Sequence, residues 1–196
     1  MKKVLVTGGT GYIGSWVVKY LLEDGHTVRV TVRDKNRKDK IAHLEEIAKT
    51  ASGTLEFWEA DLLKEGSFNE AMKGCEIVYH LASPFLFGKV KDPYKRLIDP
   101  AVKGTRNVLE AANQTPSVKR VALTSSVVSI YGDNIDIKET ENNIFTEEHW
   151  NTTSSAQHNP YPYSKVLAEK EAWKIHDAQD RWSLVVLNPG FVMGPS

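Results

Sequence analysis

TGGTGYIG, residues 7–14, follows the apolar run VLV and leads directly into a segment with helical spacing. Its glycines can be read as GxGxxG on Gly9, Gly11 and Gly14, or as GxxGxxG on Gly8, Gly11 and Gly14. Glycine at these positions lets the backbone turn sharply and lets a pyrophosphate approach the N-terminus of the next helix. A glycine motif alone is weak evidence. Between the first strand and first helix of an alternating fold, it predicts a dinucleotide site. Gly8, Gly11, Tyr12, Ile13 and Gly14 are its candidate cofactor-binding residues.

The alternation is present along the whole chain. VLVTG (4–8) reads as a strand, and Ile13, Val17 and Leu21, flanked by Tyr12, Trp16 and Tyr20, form a helical stripe. TVRVTV (27–32) is rich in β-branched residues and reads as a second strand. KIAHLEEIAKT is helical, TLEFWEAD gives a third strand and EIVYHLAS (76–83) a fourth. Ile98, Ala101, Val102, Thr105, Val108, Leu109 and Ala112 keep helical spacing, with Asp99-Pro100 as a cap and first turn or a kink. VKRVALTSS is a fifth strand, Tyr161 to about Asp177 a helix, and SLVVLNPG a sixth strand. This order predicts one domain over residues 1–196: an α/β Rossmann-type fold, with a doubly wound parallel sheet and helices on both faces. Residues 132–160 break the rhythm, being polar and poorly periodic. Loops of that length are usually functional or disordered.

Composition narrows the function. The chain has 196 residues with 25 basic and 25 acidic side chains, so no net field would gather nucleic acid or another polyanion. The single cysteine, Cys75, excludes an internal disulfide and a CxxC metal site, and reads as a small buried residue. His149 and His158 have no second ligand at metal spacing, so no metal is expected. The N-terminal apolar run is too brief for a signal peptide, and no stretch is long enough to span a bilayer. The sequons at Asn113 and Asn151 read as chance matches, and a cytoplasmic protein is expected.

Two further stretches carry chemistry. At the end of the second strand, Asp34 has roughly the distance from the glycines at which an acid binds a ribose 2′-hydroxyl. It lies in a basic run, however: Arg33 precedes it, and Lys35, Arg37, Lys38 and Lys40 follow. Positive side chains near the start of the next helix oppose its dipole. Such a broken local rule at a ligand edge points to a 2′-phosphate, and so to NADP(H), with Arg33 and Lys40 as its candidate partners. In YPYSK (161–165), residues four apart on a helix share a face and residues two apart do not. Tyr161 can therefore stand beside Lys165, and Tyr163 cannot.

Taken together, TGGTGYIG, the AD of WEADL, HLASP, LTSS, YPYSK and NPG resemble, in that order, the extended short-chain dehydrogenase/reductases. TVRD, EGSF…AMKGC, HLASP and SKVLAEKEAW are similar to the branch of dihydroflavonol, cinnamoyl-CoA and aldehyde/ketone reductases. The resemblance covers the whole chain. It implies a catalytic trio of Ser126, rather than Ser125, with Tyr161 and Lys165. Ser126 would hold the substrate carbonyl and Tyr161 would donate the proton. Lys165 would hold the nicotinamide ribose and lower the tyrosine pKa. The resemblance also puts Asp61 and Leu62 near the adenine, Ala82 and Ser83 beside the ribose and phosphates, and Pro189 and Val192 against the nicotinamide.

Two departures bear on substrate. Tyr131 stands where dihydroflavonol reductases often carry asparagine, which argues against a flavonoid. The chain also stops at NPGFVMGPS, where family members continue for over a hundred residues, so the C-terminal substrate lobe is expected to be absent from this chain. The leading expectation is an NADPH-dependent reductase of a small carbonyl compound. The alternatives are an NAD-dependent sugar-nucleotide epimerase or dehydratase, and a non-catalytic NADP-binding sensor or scaffold. Helices 100–113 and 161–177 could pair with a second copy as a homodimer.

Overall fold

In the computed structural model, which describes residues 1–86 and 90–195, β1 (Lys3–Thr7) completely buries Val4, Leu5 and Val6. A strand buried on both faces must lie inside a parallel sheet covered from both sides. The flanking elements are α1 (Tyr12–Glu23), β2 (Thr27–Val32), α2 (Lys38–Thr50), β3 (Thr54–Glu59), α3 (Asn69–Met72) and β4 (Ile77–His80). They continue with α4 (Asp99–Gln114), β5 (Arg120–Thr124), α5 (Pro160–Asp177) and β6 (Ser183–Leu187). The sheet order is β3-β2-β1-β4-β5-β6, and every pairing is parallel. This is the doubly wound arrangement expected from the alternation.

The period-2 geometry of the strands divides the core. Val4, Val6, Val28 and Val30 face α1 and α2. Leu5, Val78, Val121 and Leu123 face the other way, toward α3, α4 and α5. Cys75 is fully buried in that second core, where burial pushes its thiol up to about 11. The α1/α2 face is not covered along its whole width. On β6, Val185 and Leu187 turn to that side and are 45% and 52% exposed.

Several expected boundaries move. The buried stripe of α1 is Gly14, Val18, Leu21 and Leu22, about one residue round from Ile13-Val17-Leu21, because the loop glycines pull Gly14 inward. Tyr20 faces solvent and tilts against Trp16. The third, fourth and sixth strands end at Glu59, His80 and Leu187, so the expected Ala60-Asp61, Leu81-Ala82-Ser83 and Asn188-Pro189-Gly190 extensions leave as loops. The helix α4 is preceded by a π-helical turn, Tyr94–Ile98, so Asp99-Pro100 continues an existing winding. Residues 132–160 contain 3-10 turns at Asn134–Glu139 and Glu141–Asn143. Asn151 pins this segment. Its Nδ2 donates to the Val128 carbonyl at 2.8 Å, and its Oδ1 accepts from the Ser154 N–H at 3.0 Å. A side chain so buried is no glycan acceptor in the folded chain.

His80 closes β4 and is buried, its Nδ1 2.7 Å from the Thr7 hydroxyl. Burial, and then the nearby Lys165 charge, push its pKa down to about 3. Unfolded, the same imidazole titrates near ~6.5. Between those values the unfolded chain binds the extra proton, so stability is full above about pH 6.5 and falls as the pH drops toward 3. We expect each unit in that window to remove roughly 1.4 kcal/mol through this residue. Urea unfolding of wild type and His80→Asn from pH 7 to 5 checks this: the variant should be flatter with pH, and parallel curves would assign the acid loss elsewhere.

Candidate functional site

At the carboxyl ends of β1, β4, β5 and β6, a cleft of about 1590 Å³ opens between the glycine loop and the start of α5. The glycine loop forms one wall. Gly8 adopts φ +72, and a Cβ there would lie 2.8 Å from the Ala82 backbone nitrogen. A Cβ on Gly14 would come within 2.1 Å of the Gly8 carbonyl oxygen, so the loop closes on itself only with glycine. Gly11 is different. A Cβ there would meet nothing but the Gly8 oxygen within 4 Å, so any side chain would extend into the cleft it lines. Gly9 packs instead on Val30 of β2. Gly8, Gly11 and Gly14 line the cleft, while Gly9, where a Cβ would lie 2.8 Å from Val30, does not.

Gly11 also caps α1, without a side-chain hydrogen bond and with no acid in the first turn. The orphan N–H groups of that turn and the positive helix end are left for an anionic ligand. Tyr12 and Ile13 line the cleft at this point. These features fit the pyrophosphate of a dinucleotide.

The other wall carries the serine, tyrosine and lysine. After β5, Ser125 is buried with its hydroxyl turned to Ser129 at 3.4 Å. Ser126 is half-buried and caps a 3-10 turn, Val127–Ser129, accepting from the Val128 N–H at 3.4 Å. Its own hydroxyl donates to the Pro189 carbonyl at a long 3.5 Å, and Ser126 lines the cleft. The helix α5 starts at Pro160, one residue before the expected Tyr161, after Asn159 in a left-handed turn with φ 58. Tyr161 and Lys165 share its cleft face, with the Lys165 Nζ 5.8 Å from the Tyr161 ring centroid; Tyr163 is not part of the lining. The Phe85 ring stands edge-on to Tyr161 at 5.3 Å.

Burial dominates the electrostatics. It pushes the Tyr161 phenol up, and it pushes Lys165 down to about 8 against a smaller opposing effect of Glu169. The expected lowering of the tyrosine by its lysine is overridden by desolvation in this geometry. A phenol held up in this way remains a proton donor at neutral pH.

The remaining candidates divide. Ser83, Pro189 and Val192 line the cleft with the glycine loop and the trio. Ala82 lies behind it, its N–H on the Thr7 hydroxyl at 3.1 Å and its backbone against Gly8. Asp61 and Leu62 also lie outside the lining. The Asp61 carboxylate accepts the Leu63 N–H at 2.8 Å, and the Leu62 carbonyl accepts from Asn107 at 2.7 Å. Arg33 and Lys40 are exposed beyond the end of β2. Arg37 and Lys38 are engaged by Asp39 and Glu45, whereas among the described residues Arg33 and Lys40 have no ion-pair partner. Sequence reasoning missed Phe85, Phe191 and the loop segment 156–159 as lining, and also Glu169, a charged residue in an apparently solvated helix. Among the described residues no cluster of three metal ligands occurs, and no helix is long and apolar enough to cross a membrane.

A cinnamoyl-CoA reductase of Medicago truncatula is 43% identical over 195 residues, covering 98% of this chain and 58% of the relative. A tetraketide alpha-pyrone reductase of Arabidopsis thaliana is 42% identical over 198 residues, covering 100% of this chain and 60% of the relative. Gre2 of Candida albicans, solved in complex with NADPH, superposes with a TM-score of 0.82 at 35% identity, over 100% of this chain and 59% of its own. The chain thus spans about three-fifths of the length of these relatives. With the sequence pattern of that family matching residues 4–196 as well, the chain belongs to the NAD dependent epimerase/dehydratase family.

Proposed function

We propose that the protein is an NADPH-dependent reductase that converts the carbonyl group of a small aldehyde or ketone to an alcohol. The observation that carries this reading is the convergence of Ser126, Tyr161 and Lys165 on one cleft whose opposite wall is the glycine loop. Bound cofactor would supply the hydride. The Ser126 hydroxyl would hold the carbonyl oxygen, and the Tyr161 phenol would give that oxygen its proton. Lys165 would bind ribose hydroxyls beside it. The named reductases among the relatives support the reaction class, and the NADPH complex of Gre2 supports the cofactor. Against the epimerase alternative, β2 ends on buried Val32 followed by Arg33, and the next acid, Asp34, accepts from the Asn36 N–H at 2.8 Å.

The cleft wall supports an apolar substrate. Pro84, Phe85, Val128 and Phe191 line it, and Tyr131 presents an aromatic ring stacked on Phe145 at 4.9 Å. A polyhydroxylated ligand would lose hydrogen bonds to water against such a wall.

Tyr161→Phe should lower the rate of carbonyl reduction by about 100-fold or more and leave NADPH affinity nearly unchanged. Steady-state kinetics of the full-length protein on a panel of aldehydes and ketones, with fluorescence titration of cofactor, check this. An inactive Tyr163→Phe beside an active Tyr161→Phe would assign the proton donor to the other tyrosine.

Arg33 is expected to discriminate between cofactors, because its planar guanidinium can bond a 2′-phosphate bidentately. Charge-assisted hydrogen bonds of this kind contribute about 1.5–3 kcal/mol. Arg33→Ala should therefore weaken NADPH roughly ten- to a hundredfold while NADH changes only a few-fold. Lys40→Ala should do the same more weakly. Equal losses for both cofactors would return Arg33 to an ordinary solvated loop.

A further inference from the structure

Among the described residues, Glu169 is the only carboxylate that is buried, and its side-chain hydrogen bonds go to Ser129 and Asn188. Its Oε2 accepts from the Ser129 hydroxyl at 2.6 Å and from the Asn188 side-chain amide at 3.0 Å. Those two partners belong to the two turns that frame the cleft. Ser129 ends the 3-10 turn capped by Ser126, and its Oγ is 2.7 Å from the Ser126 carbonyl. Asn188 precedes Pro189, and its Nδ2 reaches the Ser126 carbonyl at 3.2 Å and the Ser129 hydroxyl at 2.9 Å. The Val127 N–H donates to the Pro189 carbonyl at 3.1 Å, which fastens the two turns together. Glu169 lies one helical turn after Lys165 on α5, so both project to the same side.

We infer that Glu169 is a positioning residue, which ties the Ser126 turn and the Asn188-Pro189 turn to the helix of Lys165 and supplies that lysine's buried counter-charge. This rests on the reading of Ser126, Tyr161 and Lys165 as the catalytic trio. The alternative sources of negative charge are few. Own-helix neighbours of Lys165 are Tyr161 and Glu169, and β4 contributes His80, which is held neutral. α4 carries Asp99, paired with Lys103, and the exposed Glu110, which accepts from Asn113; Glu171, further along α5, is paired with Arg106 of α4. The π-helical turn buries Leu97 and Ile98 and leaves Tyr94, Lys95 and Arg96 exposed, while Val127–Ser129 and β6 carry no ionisable side chain. Lys165 itself makes no ion pair among the described residues. Its ammonium is opposed by burial and favoured by Glu169 alone.

Glu169→Gln separates the two roles, because glutamine keeps an acceptor for Ser129 and loses the charge. The pH dependence of Lys165 acetylation by acetic anhydride, read by peptide mass spectrometry, reports the lysine directly. In Glu169→Gln that curve should move to lower pH, and the alkaline limb of kcat should move with it. Glu169→Ala also breaks the hydrogen bonds, and should lower kcat on the order of tenfold further while NADPH affinity changes less. Restoration of kcat, but not of the limb, by glutamine over alanine is the expected signature. An unchanged acetylation curve in Glu169→Gln overturns the counter-charge, whether or not the protein reduces carbonyls. A shifted curve in a protein with no reductase activity would support the electrostatic tie and overturn the reductase reading instead.

Discussion

All six strands run in one direction, so their carboxyl ends share one edge of the sheet, and every loop that leaves them leaves from that edge. Parallel pairing forbids tight hairpins, and each return to the sheet needs a crossover. The site is therefore assembled from segments distant in sequence. Thr7 meets Ala82, Ser126 meets Asn188, and Ser129 meets Glu169. Between β1 and β4 the sheet reverses its direction of growth, which parts the loops and opens the crevice. The close approach of Gly8 to Ala82 is the atomic form of that constraint, since two adjacent parallel strands deliver both backbones to the same place.

Within the crevice, burial sets the chemistry of each titratable group, and a few placed charges moderate it. His80 is neutral because it is enclosed and close to an amine. Lys165 is held nearer neutrality than a surface lysine, and Tyr161 is kept in its phenol form. Moderating an enclosed amine requires an enclosed anion, and an enclosed anion requires hydrogen bonds of its own. The Ser129 and Asn188 donors meet that second requirement. The polar residues behind the cleft are thus consequences of one buried lysine.

What could be read in advance depended on range. TVRVTV declared β2 to the residue, because a β-branched run has a local preference that the sheet only confirms. The glycine loop was legible from its short-range spacing, although the approaches of Ala82 to Gly8 and Val30 to Gly9 come from remote strands. The four-residue α3 carries too little pattern to show. The fold of 132–160 depends on Asn151 bonding backbone twenty-three residues earlier, and no periodicity encodes that. Glu169 was hidden by its own sequence, since AEKEAW reads as a solvated helix until partners from two remote turns are in place. The Tyr161–Lys165 juxtaposition was readable from spacing, whereas the depth of its burial was not.

The position of β6 has a consequence for the time course of synthesis. Among the described residues it is the strand beside β5 and follows the other five in chain order, with Asn188 and Pro189 immediately after it. In a growing chain, β1 to β5 are all made before β6. Until β6 docks, Ser126 lacks its tie to Asn188, and Glu169 lacks one of its two donors. The strands that shape the glycine loop are therefore all made before Asn188, which ties the Ser126 turn to Glu169.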